Sequence, residues 1–397
     1  MSKRKHEEDT LPLPELTSYN FDQLVAKLKV DGGRDLVAKA LVSISTLAGL
    51  TDADIKKVSE TVPAFAEATW DKVARDFGLD IDKDIYQLNG FNVPLVSLPP
   101  SFHKEVMRNA AQWLDVYQDR SCHSREAARV RLMDAWHVPV CALFRGRVVD
   151  RPEHPMPVTL NTSGGSIEHE VYMLEGIILI VIELKLYFKN LFDHFAQVML
   201  ELDSAFKLNA TKEFNNQPPV YAVLTDLRDF YFLRYDGSSF ALYNHDISIL
   251  LRSRATFLDG MRSVTDHLFS IILDGYISNI TVIQSRSSLR GSQGDVSKHN
   301  SALVGEPKIA TPMGSRPSFE NWTRALIDAT AARDAMQSVD FTSLESWEKT
   351  GAHGVSLLQR SVSHLPKIGS ITDWTKEQLD LEIDKVLCKC LKVSSDA

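Results

Sequence analysis

The sequence predicts a mixed α/β fold in which helices pack against a β-sheet. The main observation is that segments with apolar residues three and four positions apart, typical of amphipathic helices, alternate with short runs of β-branched and aromatic residues, typical of strands. The chain has 397 residues, 44% hydrophobic and 24% charged, which is the balance of an ordinary globular protein with more than one small domain.

Net charge and the length of the apolar runs limit the classes of protein to which this chain can belong. The formal charge of -8 excludes a chain that is basic throughout, so contact with nucleic acid requires a local basic patch. The longest apolar run, Ile177 to Ile182, is far shorter than the roughly 20 residues of a membrane-spanning helix. We therefore expect no membrane partner.

The N-terminus and the cysteines predict a location. Lys3-Arg4-Lys5 opens a charged segment where a secretory signal would carry an apolar core. The four cysteines show no spacing that suits zinc, which favours reduced thiols. A nuclear or cytoplasmic protein is expected.

The first 120 residues predict a charged flexible tail, 1–17, followed by a helical accessory domain, 18–120. Its segments show helical apolar spacing or a typical helix start, and none matches a catalytic motif. The predicted helices are Phe21–Val30, Asp35–Leu47, one from Thr51, one from Pro63 and Phe102–Tyr117.

Residues 121–283 predict the α/β core. Glu175-Gly176 is interpreted as a two-residue hairpin turn, and the strand after it is apolar on both faces, which is typical of a central strand. The predicted order is helix Ser124–His137, strand Val138–Val149, loop Pro152–Gly165, strands Ile167–Leu174 and Ile177–Leu186, helix Asn190–Leu208, strands Val220–Thr225, Phe230–Tyr235 and Phe240–Tyr243, and helix Phe257–Ile277.

Composition changes again after the core. Residues 284–318 are rich in Ser, Gly, Arg and Pro, which predicts a flexible linker. The C-terminal segment, 319–397, shows helical patterns at Phe319–Gln337 and Lys376–Leu391.

The most informative motif is Glu183-Leu184-Lys185 at the end of the apolar strand. Residues two apart on a strand face the same side, so Glu183 and Lys185 project together. If Glu175-Gly176 is the turn, Leu174 pairs with Ile177 and Glu168 lies directly opposite Glu183.

Two carboxylates and a lysine in one patch allow two interpretations. The oxygen ligands suit Mg²⁺ or Mn²⁺, and a metal so held lowers the pKa of a bound water and stabilises charge on a phosphate. The alternative is an ordinary salt bridge between Lys185 and Glu183 or Glu168. A turn shifted by one residue would make Glu170 the second acid.

The run Ile180-Val181-Ile182-Glu183-Leu184-Lys185 resembles the third motif of PD-(D/E)XK nuclease-like proteins, in which an acid on one strand precedes an apolar strand ending in (D/E)xK. The resemblance extends over Ser124–Tyr243, including the following helix and the strand at Pro219–Asp226, and similar stretches occur in uncharacterised fungal proteins. It implies a restriction-endonuclease-like αβββαβ core, with a mixed sheet flanked by helices, that cleaves phosphodiester bonds with a divalent metal.

The resemblance implies roles for individual residues. Glu183 and Glu168 would be metal ligands and Lys185 the catalytic lysine, although Glu168 stands where the family usually has Asp. Glu126 would match the acid on the family's first helix. Gln197, which shares a helix face with Glu201, would contact the metal water or the substrate.

Phosphate contacts would come from arginines. Residues 120–151 contain seven arginines against three acids, and Arg125, Arg129, Arg145 and Arg147 are predicted to bind nucleic acid. The alternative is that these arginines pair with acids inside the fold. His169 and His194 are interpreted as incidental.

Three functions remain open from the sequence, and the third of them is a helical interaction protein in which the hairpin only packs. The first is a Mg²⁺- or Mn²⁺-dependent nuclease, for which DNA is expected ahead of RNA although the sequence does not decide between them. The second is a binding or scaffold protein that has kept the fold and lost the chemistry, which the Glu168 substitution and the acidic net charge favour.

Overall fold

The chain divides into two compact units, Met1–Val62 and Pro63–Ala397. A computed structural model describes residues 62–118, 122–212, 217–245, 247–249, 253–292, 317–368 and 376–393. The helices predicted at Phe21–Val30 and Asp35–Leu47 and from Thr51, like the tail at 1–17, lie outside the described residues. The boundary predicted at 120/121 lies within the second unit.

The described residues form eight α-helices and eight strands, with short 3₁₀ turns at Phe65–Glu67, Ile85–Gln87 and Leu174–Gly176. The helices are α1 Trp70–Asp76, α2 Pro100–Tyr117, α3 Glu126–Ala142, α4 Leu191–Ala210, α5 Arg254–Ser292, α6 Phe319–Gln337, α7 Leu344–Ser363 and α8 Lys376–Val393. The strands are β1 Asn89–Phe91, β2 Val148–Met156, β3 Gly165–Met173, β4 Ile177–Leu184, β5 Val220–Thr225, β6 Asp229–Tyr235, β7 Phe240–Tyr243 and β8 Ile247–Ser248.

The strands form one mixed sheet in the order β1-β7-β6-β5-β4-β3-β2, with β8 paired to β6. β4 and β5 run parallel, whereas β2, β3 and β4 are antiparallel neighbours. From α3 to β5 the elements follow the order αβββαβ. The predicted mixed α/β fold, with its sheet flanked by helices, is confirmed.

Two hydrophobic cores cover the two faces of the sheet. On one face, Met133 and Trp136 of α3 pack with Leu268 of α5 and the β4 residue Ile182. On the other face, α4 packs over β4 and β5, and its Phe195 and Val198 belong to the second core. Since both faces are covered, β4 is apolar along most of its length, as expected for a buried strand.

The β3–β4 hairpin differs from the predicted turn. Met173 pairs with Ile177 across a three-residue turn, Leu174–Gly176, in which Glu175 and Gly176 have φ of 64° and 70°. Pairing then shifts, because Tyr172 faces Ile178 whereas Val171 faces Ile180, which leaves Leu179 as an extra residue on β4.

This bulge changes which side chains face which way. Beyond it, His169 pairs with Ile182, and the same register continued by one residue sets Glu168 opposite Glu183. Ile182 and Leu184 belong to the α3–α5 core. Because side chains alternate along a strand, Glu183 points to the opposite face, under α4.

Several predicted boundaries are wrong. The first part of the strand predicted at Val138–Val149 is the end of α3, which continues through Pro139 to Ala142, and only Val148 and Val149 lie in a strand. The reason is that Met133, Trp136 and Val140, at helical spacing, all pack into the α3–α5 core. β2 extends from Val148 into the predicted loop, up to Met156.

The linker predicted at 284–318 begins too early. α5 continues to Ser292 because Ile283 is buried and Gln284 Nε2 donates to Thr323 Oγ1 of α6 at 2.8 Å. Residues 293–316 lie outside the described residues. Beyond them, α7 was not predicted, and it packs closely on α6.

One described helix is long and apolar enough to cross a membrane by length and composition alone. Its segment Ala255–Arg286 contains an 18-residue window with a mean hydropathy of 1.2, and 67% of that window is buried inside the protein. Leu268 and Ile272 of this segment belong to the α3–α5 core. The core helix of a soluble protein meets the same criterion.

Candidate active site

The candidate site lies where β4 and β5 end side by side. Glu183 pairs with Leu224 and Leu184 with Thr225 in parallel register, and the Lys185 N–H donates to the Thr225 carbonyl at 2.9 Å. These backbone bonds fix the direction of the last β4 side chains. α4 packs over the same strand ends, so its polar side chains meet those of β4.

A chain of hydrogen bonds joins the polar side chains. Lys185 Nζ lies 2.5 Å from Glu183 Oε1. Gln197 Nε2 donates to that same oxygen at 2.6 Å and to Glu201 Oε1 at 2.8 Å. Glu168 Oε2 accepts the Leu184 N–H at 2.6 Å, so the β3 acid is also held at the end of β4. We call Glu168, Glu183, Lys185, Gln197 and Glu201 the carboxylate cluster.

The carboxylate cluster is buried, and its acids perturb each other. Burial, reinforced by Glu183, raises the pKa of Glu168 to about 9. Burial also raises the pKa of Glu183, against the opposing effect of Lys185, and raises the pKa of fully buried Glu201 well above its usual range. Burial disfavours the charged form of Lys185, but Glu183 outweighs this and raises the lysine pKa.

The donor set suits a divalent cation. Glu183 Oε2 and Glu201 Oε2 are buried and have no hydrogen-bond partner among the described residues. Three carboxyl groups stand against one ammonium, so full ionisation leaves a surplus of two negative charges in a buried place. Mg²⁺ and Mn²⁺ prefer such oxygen ligands and carry the compensating charge.

The remaining acids have different surroundings. Glu126, the first residue of α3, is half-buried and close enough to raise the pKa of both Glu168 and Lys185. Glu170 instead pairs with Val181, and its Oε1 lies 3.3 Å from Arg151 Nη1. Burial raises the Glu170 pKa to about 7, and among the described residues its carboxylate lies beside Arg151 and His154.

Two of the four arginines predicted to bind nucleic acid are buried and hydrogen-bonded to backbone carbonyls. Arg129 is 0% exposed, and its guanidinium donates to the backbone carbonyls of Lys185 and Leu186. Arg147 is buried and donates to the Leu365 carbonyl at 2.7 and 2.9 Å. Each holds a helix or strand against a neighbouring segment and presents no free surface to a phosphate.

The other two arginines lie at opposite ends of α3. Arg125 is exposed and immediately precedes the helix, next to Glu126. Arg145 is half-buried beyond the helix's last residue, and a 17-residue helix is about 25 Å long. Of this pair, only Arg125 lies at the end of α3 nearest the carboxylate cluster.

Sequence reasoning noted Glu201 without including it in the site. The signal was present, because Gln197 and Glu201 are four apart and therefore share a helix face, and their neighbours Val198 and Leu202 are apolar. A charged side chain on a fully buried helix face is costly unless it is paired or used. That cost identifies Glu201 as a site residue once α4 is known to be buried.

Comparisons with known proteins give little support for a family. No protein-family model matches the chain, and no curated protein sequence matches it. A solved structure of DrdV in complex with DNA aligns with 69% of this chain and 27% of the DrdV chain, at 10% sequence identity and a TM-score of 0.25. The chain therefore spans about a quarter of DrdV's length. We draw no conclusion on fold or function from a TM-score of 0.25.

Proposed function

We propose that the protein is a metal-dependent nuclease that hydrolyses phosphodiester bonds in nucleic acid, with DNA as the expected substrate. The observation that carries this proposal is the carboxylate cluster itself. Buried carboxylates with unpartnered oxygens meet a lysine at the end of a central strand, within an αβββαβ order of elements. The resemblance of Glu183-Leu184-Lys185 to the PD-(D/E)XK motif supports the same function.

Glu168, Glu183 and Glu201 are the residues that would hold the ion. A bound Mg²⁺ or Mn²⁺ supplies an activated water and offsets negative charge on the phosphate. Glu168 is one methylene longer than the aspartate usual in the family, but its Oε2 bond to the Leu184 N–H fixes where the longer side chain ends. The substitution therefore does not remove the acid from the cluster.

Lys185 and Gln197 have separate roles in this proposal. The Lys185 ammonium has three donors and uses one on Glu183, so others remain for a water or a phosphate oxygen. Gln197 places one amide nitrogen between Glu183 and Glu201, which sets the separation of their carboxylates. Gln197 is thus a positioning residue, and Lys185 is the proposed catalytic residue.

A nuclease assay on the full-length protein tests the proposal. Single- and double-stranded DNA and RNA are incubated with protein and Mg²⁺ or Mn²⁺, and we expect cleavage that EDTA stops. Glu183→Ala should abolish the metal-dependent cleavage because the central ligand is lost. Glu105→Ala, which removes an exposed acid of α2, is the matched control and should cleave like the wild type.

Identical purification of all variants separates the protein's activity from a contaminating host nuclease. Equal cleavage by wild type and Glu183→Ala would contradict the proposal. Nucleic-acid binding without cleavage would support the alternative, a scaffold that has lost the chemistry. The small exposed fractions of Glu183, 4%, and Lys185, 9%, are the observation that favours this alternative.

A further inference from the structure

A second group of metal-ligating side chains lies on the opposite face of the same hairpin. His169 follows Glu168 on β3 and pairs with Ile182, whose side chain belongs to the α3–α5 core. It therefore points towards α3, where it meets His137 and the β2 residue Asp150. We call His137, Asp150 and His169 the histidine cluster.

The two imidazoles converge on one carboxylate oxygen. His169 Nδ1 lies 2.8 Å and His137 Nε2 3.5 Å from Asp150 Oδ2. The potential ligand atoms all lie within 4.8 Å of one another. Ligand atoms in a tetrahedral zinc site are about 3.3 Å apart, given bonds of about 2.0–2.1 Å. Small side-chain rotations therefore suffice to place an ion between the three residues.

Burial makes this arrangement unusual for an ordinary polar contact. His137 and His169 are each 1% exposed. His169 Nε2 and Asp150 Oδ1 are buried without a hydrogen-bond partner among the described residues. Buried polar atoms normally have partners, so the cluster retains unused ligand capacity.

The surroundings supply an outer layer for a metal site. Cys141 lies one helical turn after His137, and its Sγ is 3.8 Å from each ring nitrogen of that histidine. Histidines that bind metals usually contact a second group through the other ring nitrogen, which fixes the ring orientation. Two imidazoles and one carboxylate are a donor set that favours zinc over Mg²⁺.

We propose that His137, Asp150 and His169 bind one Zn²⁺ ion that joins α3 to β2 and β3. This site is separate from the carboxylate cluster and does not depend on nuclease activity. A bound ion would fix the end of β3 that also carries Glu168, so the site has a structural role in this fold. Water would complete the coordination.

Metal binding by the full-length protein tests the site. The protein is stripped with a chelator and then titrated with Zn²⁺ in the presence of Mg²⁺, which occupies oxygen-rich sites. We expect one Zn²⁺ per chain by elemental analysis and calorimetry. Co²⁺ in its place should give the visible absorption of a nitrogen-ligated, low-coordinate ion.

Variants assign the binding to the cluster. Asp150→Asn and His169→Gln should weaken Zn²⁺ binding at least about 10-fold, whereas His353→Gln, at an exposed histidine of α7, should not. Glu183→Gln should also bind Zn²⁺ normally, which separates the two clusters. Circular dichroism checks that each variant is folded.

Two results would overturn the proposal. One is wild-type protein that binds no Zn²⁺ and gives no Co²⁺ absorption, which would leave a closed histidine–carboxylate hydrogen-bond network. The other is unchanged Zn²⁺ affinity in folded Asp150→Asn and His169→Gln. If either variant is unfolded, the Co²⁺ absorption of the wild type decides alone.

Discussion

The two faces of the β3–β4 hairpin carry polar clusters of different chemistry. Neighbouring residues Glu168 and His169 belong to different clusters because side chains alternate along a strand. Under α4, acids outnumber the lysine, and Oε2 of both Glu183 and Glu201 has no hydrogen-bond partner among the residues that the structure describes. Under α3, two histidines surround one aspartate.

If both proposed sites bind metal, one hairpin selects two kinds of ion. Surplus carboxylates favour a hard divalent cation that keeps waters for chemistry, whereas imidazoles favour zinc held by the protein itself. In this proposal the carboxylate cluster carries out the reaction on one face, and the ion in the histidine cluster stabilises the hairpin on the other.

After the loss of cleavage expected for Glu183→Ala, the largest expected effect comes from Lys185→Ala. We expect cleavage to slow by about 10²-fold or more, the scale seen on removal of one electrostatic contact to a transition state. The substitution leaves every carboxylate in place, so Mn²⁺ binding and the Zn²⁺ affinity of the histidine cluster should persist. Single-turnover cleavage and metal titration measure the two properties separately.

A wild-type rate in Lys185→Ala would remove the catalytic role of the lysine. Loss of Zn²⁺ binding in the same variant would show that the two clusters are not independent and that the two faces of the hairpin act as one site.

The register of this hairpin was predictable, although for an incomplete reason. A two-residue turn at Glu175-Gly176 predicts Glu168 opposite Glu183, and the structure reaches the same pairing with a longer turn and a bulge at Leu179. The extra residue in the turn and the extra residue in the bulge have opposite effects on the register, so the pairing beyond the bulge is the predicted one. Local turn signals cannot reveal a bulge inside an apolar run, because Ile178, Leu179 and Ile180 are all suitable for either face.

Other features depended on contacts distant in sequence. The burial of Arg129 follows from the ends of β4 and β5 lying beside α3, which no local pattern indicates. The histidine cluster combines His137, Asp150 and His169 from three elements. Since α3 was predicted to end at His137 and a strand to follow, the sequence placed these residues in the wrong geometry. The functional roles of Glu168, Glu183, Lys185 and Gln197 remain predictions.

A smaller effect is expected in the pH dependence of the metal-free protein. Glu168 has its pKa raised to about 9, and the pKa values of Glu183 and Glu201 are also raised. Above the ordinary glutamate pKa, the unfolded chain has lost protons that the folded cluster retains. The free energy of unfolding should therefore fall as pH rises from about 5 to 9, by about 1.4 kcal/mol per pH unit for each retained proton.

Glu201→Gln removes one of these acids and should reduce the slope accordingly. Thermal melts of chelator-treated protein at several pH values measure this slope of stability against pH. Mg²⁺ should raise the melting temperature more at high pH, because the protons on the acids are then more easily displaced by the ion. An identical slope in wild type and Glu201→Gln would show that Glu201 does not hold a proton in the fold. The histidine cluster provides the internal comparison, because Glu201→Gln should leave its Zn²⁺ affinity unchanged.

The smallest effect separates the two faces by nucleic-acid contact. Arg125 immediately precedes α3, beside Glu126 and at the end of the helix nearest the carboxylate cluster. Arg131 is exposed about 9 Å further along the helix. There it interacts with Asp134, near the histidine cluster. Arg125→Ala should weaken DNA binding a few-fold and reduce the slope of log affinity against log salt by about one, since one phosphate contact is lost. Arg131→Ala, the matched control, should change neither the affinity nor the salt dependence.

Fluorescence anisotropy across a salt series in Ca²⁺, which avoids cleavage during the titration, measures both variants. Equal losses would mean that DNA follows the whole of α3, and unchanged binding in both would place the phosphate contacts on other residues.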